Sequence, residues 1–197
     1  MAHQIENMFY VGETPWHKLG NQVSEDISIS EGMVASGLNW NVGLEELVTV
    51  SGRKVQEKAV IRMTDNAVLG VVGPRYQPLQ NCDAFNWFQP FLDAKECKLH
   101  TAGSLCDGKK IWVLTKLCRP NSEIVKNDEV AKFILLSNSH DGTTAIRVGY
   151  TPIRVVCANT LAAAHCSTAS KLLRVRHTKN TMTNLEKIRD IMNNMDA

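Results

Sequence analysis

Apolar and polar positions alternate with a two-residue period along much of this chain, and a few stretches of helical spacing interrupt the alternation. Ser28 and Glu31 form a capping box ahead of a helix reaching about Leu38, with Gly32 and Gly37 weakening it. Trp40, Val42 and Leu44 then alternate, which predicts a strand over 40–50. Ser51-Gly52 turns the chain into a return strand over 55–63, and Thr64-Asp65-Asn66 into a third over 67–72, ended by Gly73-Pro74. Asn81 caps a helical stretch over 81–93 that Pro90 must kink or end. Strands over 98–106 and 110–118 flank Asp107-Gly108, a strong hairpin signal. A polar loop follows at 119–128. A long strand over 129–139, the turn His140-Asp141-Gly142 and a partner over 143–150 come next. Residues 153–157 fit a strand or a buried helix, 160–166 a helix, and 171–177 a basic strand or extended arm. A second capping box, Thr183 to Glu186, opens a final helix lined by Leu185, Ile188, Ile191, Met192 and Met195.

Hairpin turns dominate, so the expected fold is α+β: a mainly antiparallel, hairpin-rich sheet with helices packed on one face and the other face available. The expected layout is an irregular N-terminal segment (1–27), a core domain (28–180) and a C-terminal amphipathic helix (181–197). Hydrophobic residues make up 44% of the 197, enough for a real core. No apolar run approaches a bilayer span and the N-terminus has no signal-peptide layout, which predicts a cytoplasmic protein. In that compartment the six cysteines are expected to be reduced and structural.

The charge is lopsided. Residues 1–100 carry 8 Lys/Arg against 12 Asp/Glu, and residues 101–197 carry 14 against 8. Between Asp141 and Glu186 there is no acidic residue, while Arg147, Arg154, Lys171, Arg174, Arg176 and Lys179 fall there with His165 and His177. Such a run points to a polyanion. In an extended segment Arg174 and Arg176 project to one face, Leu173, Val175 and His177 to the other, and such a row of guanidinium groups can track a phosphate backbone. The competing reading is a solvated edge strand whose charges discourage aggregation. Tyr150, between Gly149 and Thr151, is the preferred aromatic for stacking on a base, ahead of Tyr76 and of Trp112, which alternation places in the core. Asn159 is expected to cap the helix after it, whose free N–H groups could hold a phosphate. Trp16 is expected to cap the core. No zinc framework, P-loop, dinucleotide fingerprint or hydrolase motif is present, so no cofactor or metal is expected and catalysis lacks support.

Several strings occur together in order. Pro15-Trp16-His17-Lys18-Leu19-Gly20, Trp40-Asn41-Val42, Val72-Gly73-Pro74-Arg75-Tyr76 with Asn81 and Ala84-Phe85, Thr101 to Leu105 with Gly108 and Trp112, the run from Thr151 to Leu161, and His177-Thr178 are the residues concerned. Together they resemble the blocks of the phage/plasmid-like proteins grouped as domain of unknown function 932; Pro90 departs from the helix those proteins usually continue. The resemblance implies a mobile-element protein of unassigned role. By fold analogy the layout is similar to phage single-strand annealing recombinases. The expectation is therefore a nucleic-acid-binding protein, single-stranded DNA favoured, acting without ATP as a homo-oligomer and with no membrane partner. Its contacts would be Arg147, Tyr150, Arg154, Asn159, Lys171, Arg174, Arg176, His177 and Lys179. The alternatives are a phage-encoded small-molecule enzyme or nuclease, needing His17, His100 or His140 to meet carboxylates in a cleft, and a structural or host-interaction phage protein, marked by a large exposed apolar patch.

Overall fold

A computed structural model describes residues 4–118, 122–125 and 128–195. The polar loop expected at 119–128 lies partly outside the described residues, as does the side chain of Met195. The chain runs through β1 (Ile5–Val11), β2 (Asn21–Val23), α1 (Ile29–Ala35), β3 (Val42–Val48), β4 (Lys54–Arg62), β5 (Ala67–Val72), α2 (Asn81–Asn86) and α3 (Gln89–Asp93). It continues through β6 (Cys97–Leu105), β7 (Lys110–Leu117), β8 (Ser122–Val125), β9 (Asp128–Val130), β10 (Phe133–Ser139), β11 (Ile146–Thr151), α4 (Ala158–Cys166), β12 (Lys171–Val175) and α5 (Thr181–Met195). The fold is α+β. A seven-stranded sheet has the order β12-β11-β10-β7-β6-β1-β2, antiparallel throughout except for the parallel pair β1–β2. The antiparallel meander β3-β4-β5 forms a second sheet, and β8 pairs with β9.

Local chemistry accounts for most of these elements. Ser28 caps α1 with the reciprocal Glu31 bond in place, satisfying two otherwise orphaned donors. Pro90 sits near the start of α3, where its missing N–H costs nothing, so the expected single helix is divided into α2 and α3. Asn81 is the first residue of α2 rather than its cap, and its buried amide donates to the carbonyls of Leu38 and Trp40. Residues 153–157 form neither strand nor helix; they run irregularly with Val155, Val156 and Cys157 buried. Helix α5 begins at Thr181, before the expected capping box, with the Thr181 hydroxyl accepting from the Thr178 N–H. All six cysteines are free.

Two expectations need correction. The first 27 residues are not an irregular appendage, because β1 lies inside the large sheet with Met8 to Val11 all buried. Its continuous apolar run hides the alternation, since both of its faces are covered. Phe9 and Val11 join the larger core, under α1, α2, α3, α5 and the small sheet, while Met8 and Tyr10 join a second core. That second core holds Val155, Val156, Cys157 and the α4 residues Leu161 and Ala164. Helices α1, α2, α3 and α5 thus pack on one face as expected, but α4 and the run before it cover much of the face expected to be open. In α5, Leu185, Ile188 and Met192 are buried and Ile191 is half exposed.

Candidate functional site

Register fixes where the basic residues point. Arg147 on β11 lies opposite Arg174 on β12. The neighbours Ile146, Val148 and Val175 face the larger core, so both guanidinium groups belong to the α4 face. Arg147 donates to the His165 carbonyl at 3.0 Å, and Arg174 is exposed. Burial and the charges of Arg147, Lys110 and Arg174 push His165 down to about 4, so its ring is neutral. Ser137 stands 2.9 Å from its Nε2. Lys110 opens β7 beside the last residue of β10, Ser139, which brings Lys110, Arg147 and Arg174 to one end of the sheet.

At that same end an open cleft of about 860 Å³ lies between the loops 73–77, 142–145 and 176–180. Arg75, Arg176 and Lys179 line it, with Tyr76 and His177 as a stacked pair whose ring centroids are 4.6 Å apart. Strand β12 ends at Val175, so Arg176 has left the strand and turns into this cleft instead of continuing the Arg174 row. The Tyr76 hydroxyl donates to the Ser139 carbonyl, and burial raises its pKa. Beneath the cleft runs a buried polar chain. His177 Nε2 donates to Asn138 at 2.8 Å, the Asn138 amide meets His140 Nδ1 at 3.4 Å, and His140 Nε2 donates to Asn81 at 3.0 Å. Burial holds His177 near 4 and His140 near 3. The turn at Asp141 rests on β5 so closely that a Cβ on Gly70 would sit 2.6 Å from its Cα. The Asp141 carboxylate accepts from Ser139, the Thr143 N–H and the Thr143 hydroxyl. Burial would raise its pKa, but these bonds outweigh burial and hold it below the usual carboxylate range.

The remaining expected contacts lie elsewhere. Lys171 starts β12, about 16 Å along an extended chain from Arg176. Arg154 is spent on the fold: it donates to the carbonyls of Val11 and Glu13 at 3.1 and 2.6 Å and to His100 at 3.1 Å. Tyr150 packs against the larger core, on the face away from Arg147. Asn159 is exposed in the first turn of α4 but does not cap it. Cys157 is the cap, and the Thr160 hydroxyl accepts from the N–H groups of Val156 and Cys157. Trp112 is fully buried, whereas Trp16, expected to cap the core, is 65% exposed. Among the described residues the three histidines of the enzyme reading do not gather on carboxylates. His17 bonds the Val156 carbonyl, His100 meets Arg154, and His140 meets Asn81. Sequence reasoning missed Arg75 and Lys110, which stand outside the acid-free run; Arg75 could have been found from its place in the Val72 to Tyr76 block.

These features define an α+β protein with a cationic sheet end and an adjoining cleft. The family model described as domain of unknown function (DUF932) matches residues 68–197, two thirds of the chain, and the protein belongs to that family. Both walls of the cleft fall within the match, whereas the strings at 15–20 and 40–42 precede it. No curated protein and no solved structure matches the chain.

Proposed function

We propose that the protein binds nucleic acid, preferentially single-stranded DNA, through the cations gathered at one end of its large sheet. One observation carries this reading. Every salt bridge among the described residues lies within residues 1–100, so no described carboxylate neutralises Arg147, Arg174, Arg176 or Lys179, and Arg174, Arg176 and Lys179 are also exposed. Arg147 and Arg174 offer a pair of guanidinium groups on the β11–β12 edge, and Arg75, Arg176 and Lys179 extend the positive surface around the sheet end. Contacts confined to one sheet end suit a flexible strand better than a rigid duplex. A protein holding the backbone in this way leaves base edges free to pair, which fits an annealing role for a phage or plasmid protein in the host cytoplasm. Self-association through the unpaired outer edges of β12 and β2 would extend the surface.

The test is binding of single- and double-stranded oligonucleotides across a salt series. Four to five phosphate contacts on a single strand give a slope of log affinity against log salt of about −3. The R174A/R176A double variant should lower that slope by about one and a half, weaken binding roughly tenfold at low salt and do so for all sequences alike. A wild-type slope near zero would refute the reading.

A further inference from the structure

We infer that the cleft between loops 73–77, 142–145 and 176–180 is a receptor for a phosphomonoester dianion, carried by the end of a strand or by a free mononucleotide. The inference rests on the nucleic-acid reading and assigns one subsite within it. Three cationic side chains, Arg75, Arg176 and Lys179, line a single space of about 860 Å³, and none has a carboxylate within 4.0 Å among the described residues. The carboxylate beside the cleft, Asp141, which precedes the lining residue Gly142, has its Oδ1 engaged by Ser139 and Thr143. Three positive charges less that one leave a local excess of two. A backbone diester carries one negative charge and satisfies half of it. A monoester carries close to two at neutral pH, because its second proton leaves near pH 6, and it brings three acceptor oxygens for two guanidinium forks and an ammonium. The Thr143 and Thr144 residues on the opposite wall add short polar groups. The volume suits one nucleotide with part of a second, not a passing duplex.

The cleft is also built to hold its shape. Tyr76 is pinned to the Ser139 carbonyl at 3.1 Å and stacked on His177, which is anchored to Asn138. The neighbouring Thr181 hydroxyl donates to the Arg176 carbonyl at 3.0 Å. Arg75 and Arg176 are therefore carried by fixed backbone on two walls, so a bound dianion need order only their side chains.

The experiment uses the full chain and one single-stranded oligonucleotide with a 5′-phosphate, a 3′-phosphate or hydroxyls at both ends, with 2′-deoxyadenosine 5′-monophosphate titrated separately. Arg75 is exposed and lies outside the β11–β12 edge, so R75Q tests the cleft without touching that edge. The wild type should prefer one phosphorylated end by about fivefold or more at moderate salt, about 1 kcal/mol. R75Q and R75Q/K179Q should erase that preference while keeping wild-type thermal unfolding, whereas R174A should weaken all three oligonucleotides equally. Equal affinity for phosphorylated and hydroxyl ends in the wild type, with the mononucleotide unbound, overturns the cleft assignment and leaves backbone binding intact. Binding of the mononucleotide with none of the oligonucleotides overturns the backbone reading and keeps the cleft as a nucleotide site.

Discussion

At the residue scale, the two arginines that look most alike in the sequence do opposite jobs. Arg154 and Arg174 both lie in the acid-free run, yet Arg154 is half-buried and closes the N-terminal strand onto the 151–157 segment through the Val11 and Glu13 carbonyls. Removing it breaks hydrogen bonds to two carbonyls and an imidazole, of which those to Val11 and His100 are partly buried and that to Glu13 is exposed. Hydrogen bonds to a charged group are each worth about 1.5–3 kcal/mol, with the exposed one to Glu13 at or below the low end. R154A should therefore lower unfolding stability by roughly 2–4 kcal/mol in urea. Its affinity for DNA, measured where it remains folded, should change less than that of R174A; an R154A protein of normal stability and poor binding would reverse the two roles. This distinction was not legible in the sequence, because the acceptors are backbone atoms about 140 residues away and carry no side-chain signature. His17 is similar. Its Nδ1 accepts from the Leu19 N–H and its Nε2 meets the Val156 carbonyl, so the motif residue beside the exposed Trp16 ties a loop to the α4 entry.

At the scale of elements, β12 decides whether the cationic edge exists. Among the described residues it pairs only with β11, and the pairing is close because β11 presents Gly149 to Leu172. A Cβ at Gly149 would run into the Lys171 carbonyl, and its φ of +151° is one that side chains seldom adopt. G149A should push β12 away at a cost of about 1–3 kcal/mol. Hydrogen exchange should then speed up at the amides of residues 171–175 before it does so in β7 or β10, and DNA affinity should fall with it. Unchanged exchange in β12 would mean that the edge tolerates the clash. The hairpins themselves were readable: Ser51-Gly52, Asp107-Gly108 and His140-Asp141-Gly142 are local turn chemistry, and each joins the strands expected of it. Strand β1 and the placing of α4 were not. A strand buried on both faces loses its alternation, and the choice of sheet face for a short alanine-rich helix is made by distant apolar residues such as Trp112 and Leu114. The candidate site was half legible for the same reason. The charge run marks Arg147, Arg174, Arg176 and Lys179; Arg75 was within reach only through its motif block, and tertiary folding alone removes Lys171 and Arg154.

Across the whole molecule, the two cores on either side of the large sheet leave several histidines where water cannot reach them freely. Burial leads in each case: His100, His165 and His177 are held near pKa 4 and His140 near 3. The buried chain shows why His140 cannot accept a proton. Its Nε2 already donates to Asn81, and a second N–H on Nδ1 would face the Asn138 amide, donor against donor. An unfolded histidine titrates near 6.5, so between about pH 6.5 and 4 the unfolded chain takes up protons that the folded state refuses. Depressed histidine values therefore make stability complete above pH 6.5 and erode it as pH falls, by about 1.4 kcal/mol per pH unit for each proton taken up. The depressed carboxylate of Asp141 pulls the same way at still lower pH, because its contribution is lost as the folded group protonates. Urea midpoints should accordingly hold level from pH 8 to 7 and drop steeply between pH 6 and 4.5. H177Q, which keeps a donor toward Asn138, should flatten that drop by up to one proton while lowering stability at pH 7. Two of the four imidazoles, His140 and His177, belong to the buried chain beneath the cleft wall, so part of the acid sensitivity lies there and the cleft should be lost when the fold is. The phosphate-end preference should fade first, as the monoester takes up its second proton near pH 6, with loss of the folded baseline following at lower pH, and a midpoint independent of pH across this range would show that the buried imidazoles do not set the molecule's lower limit of stability.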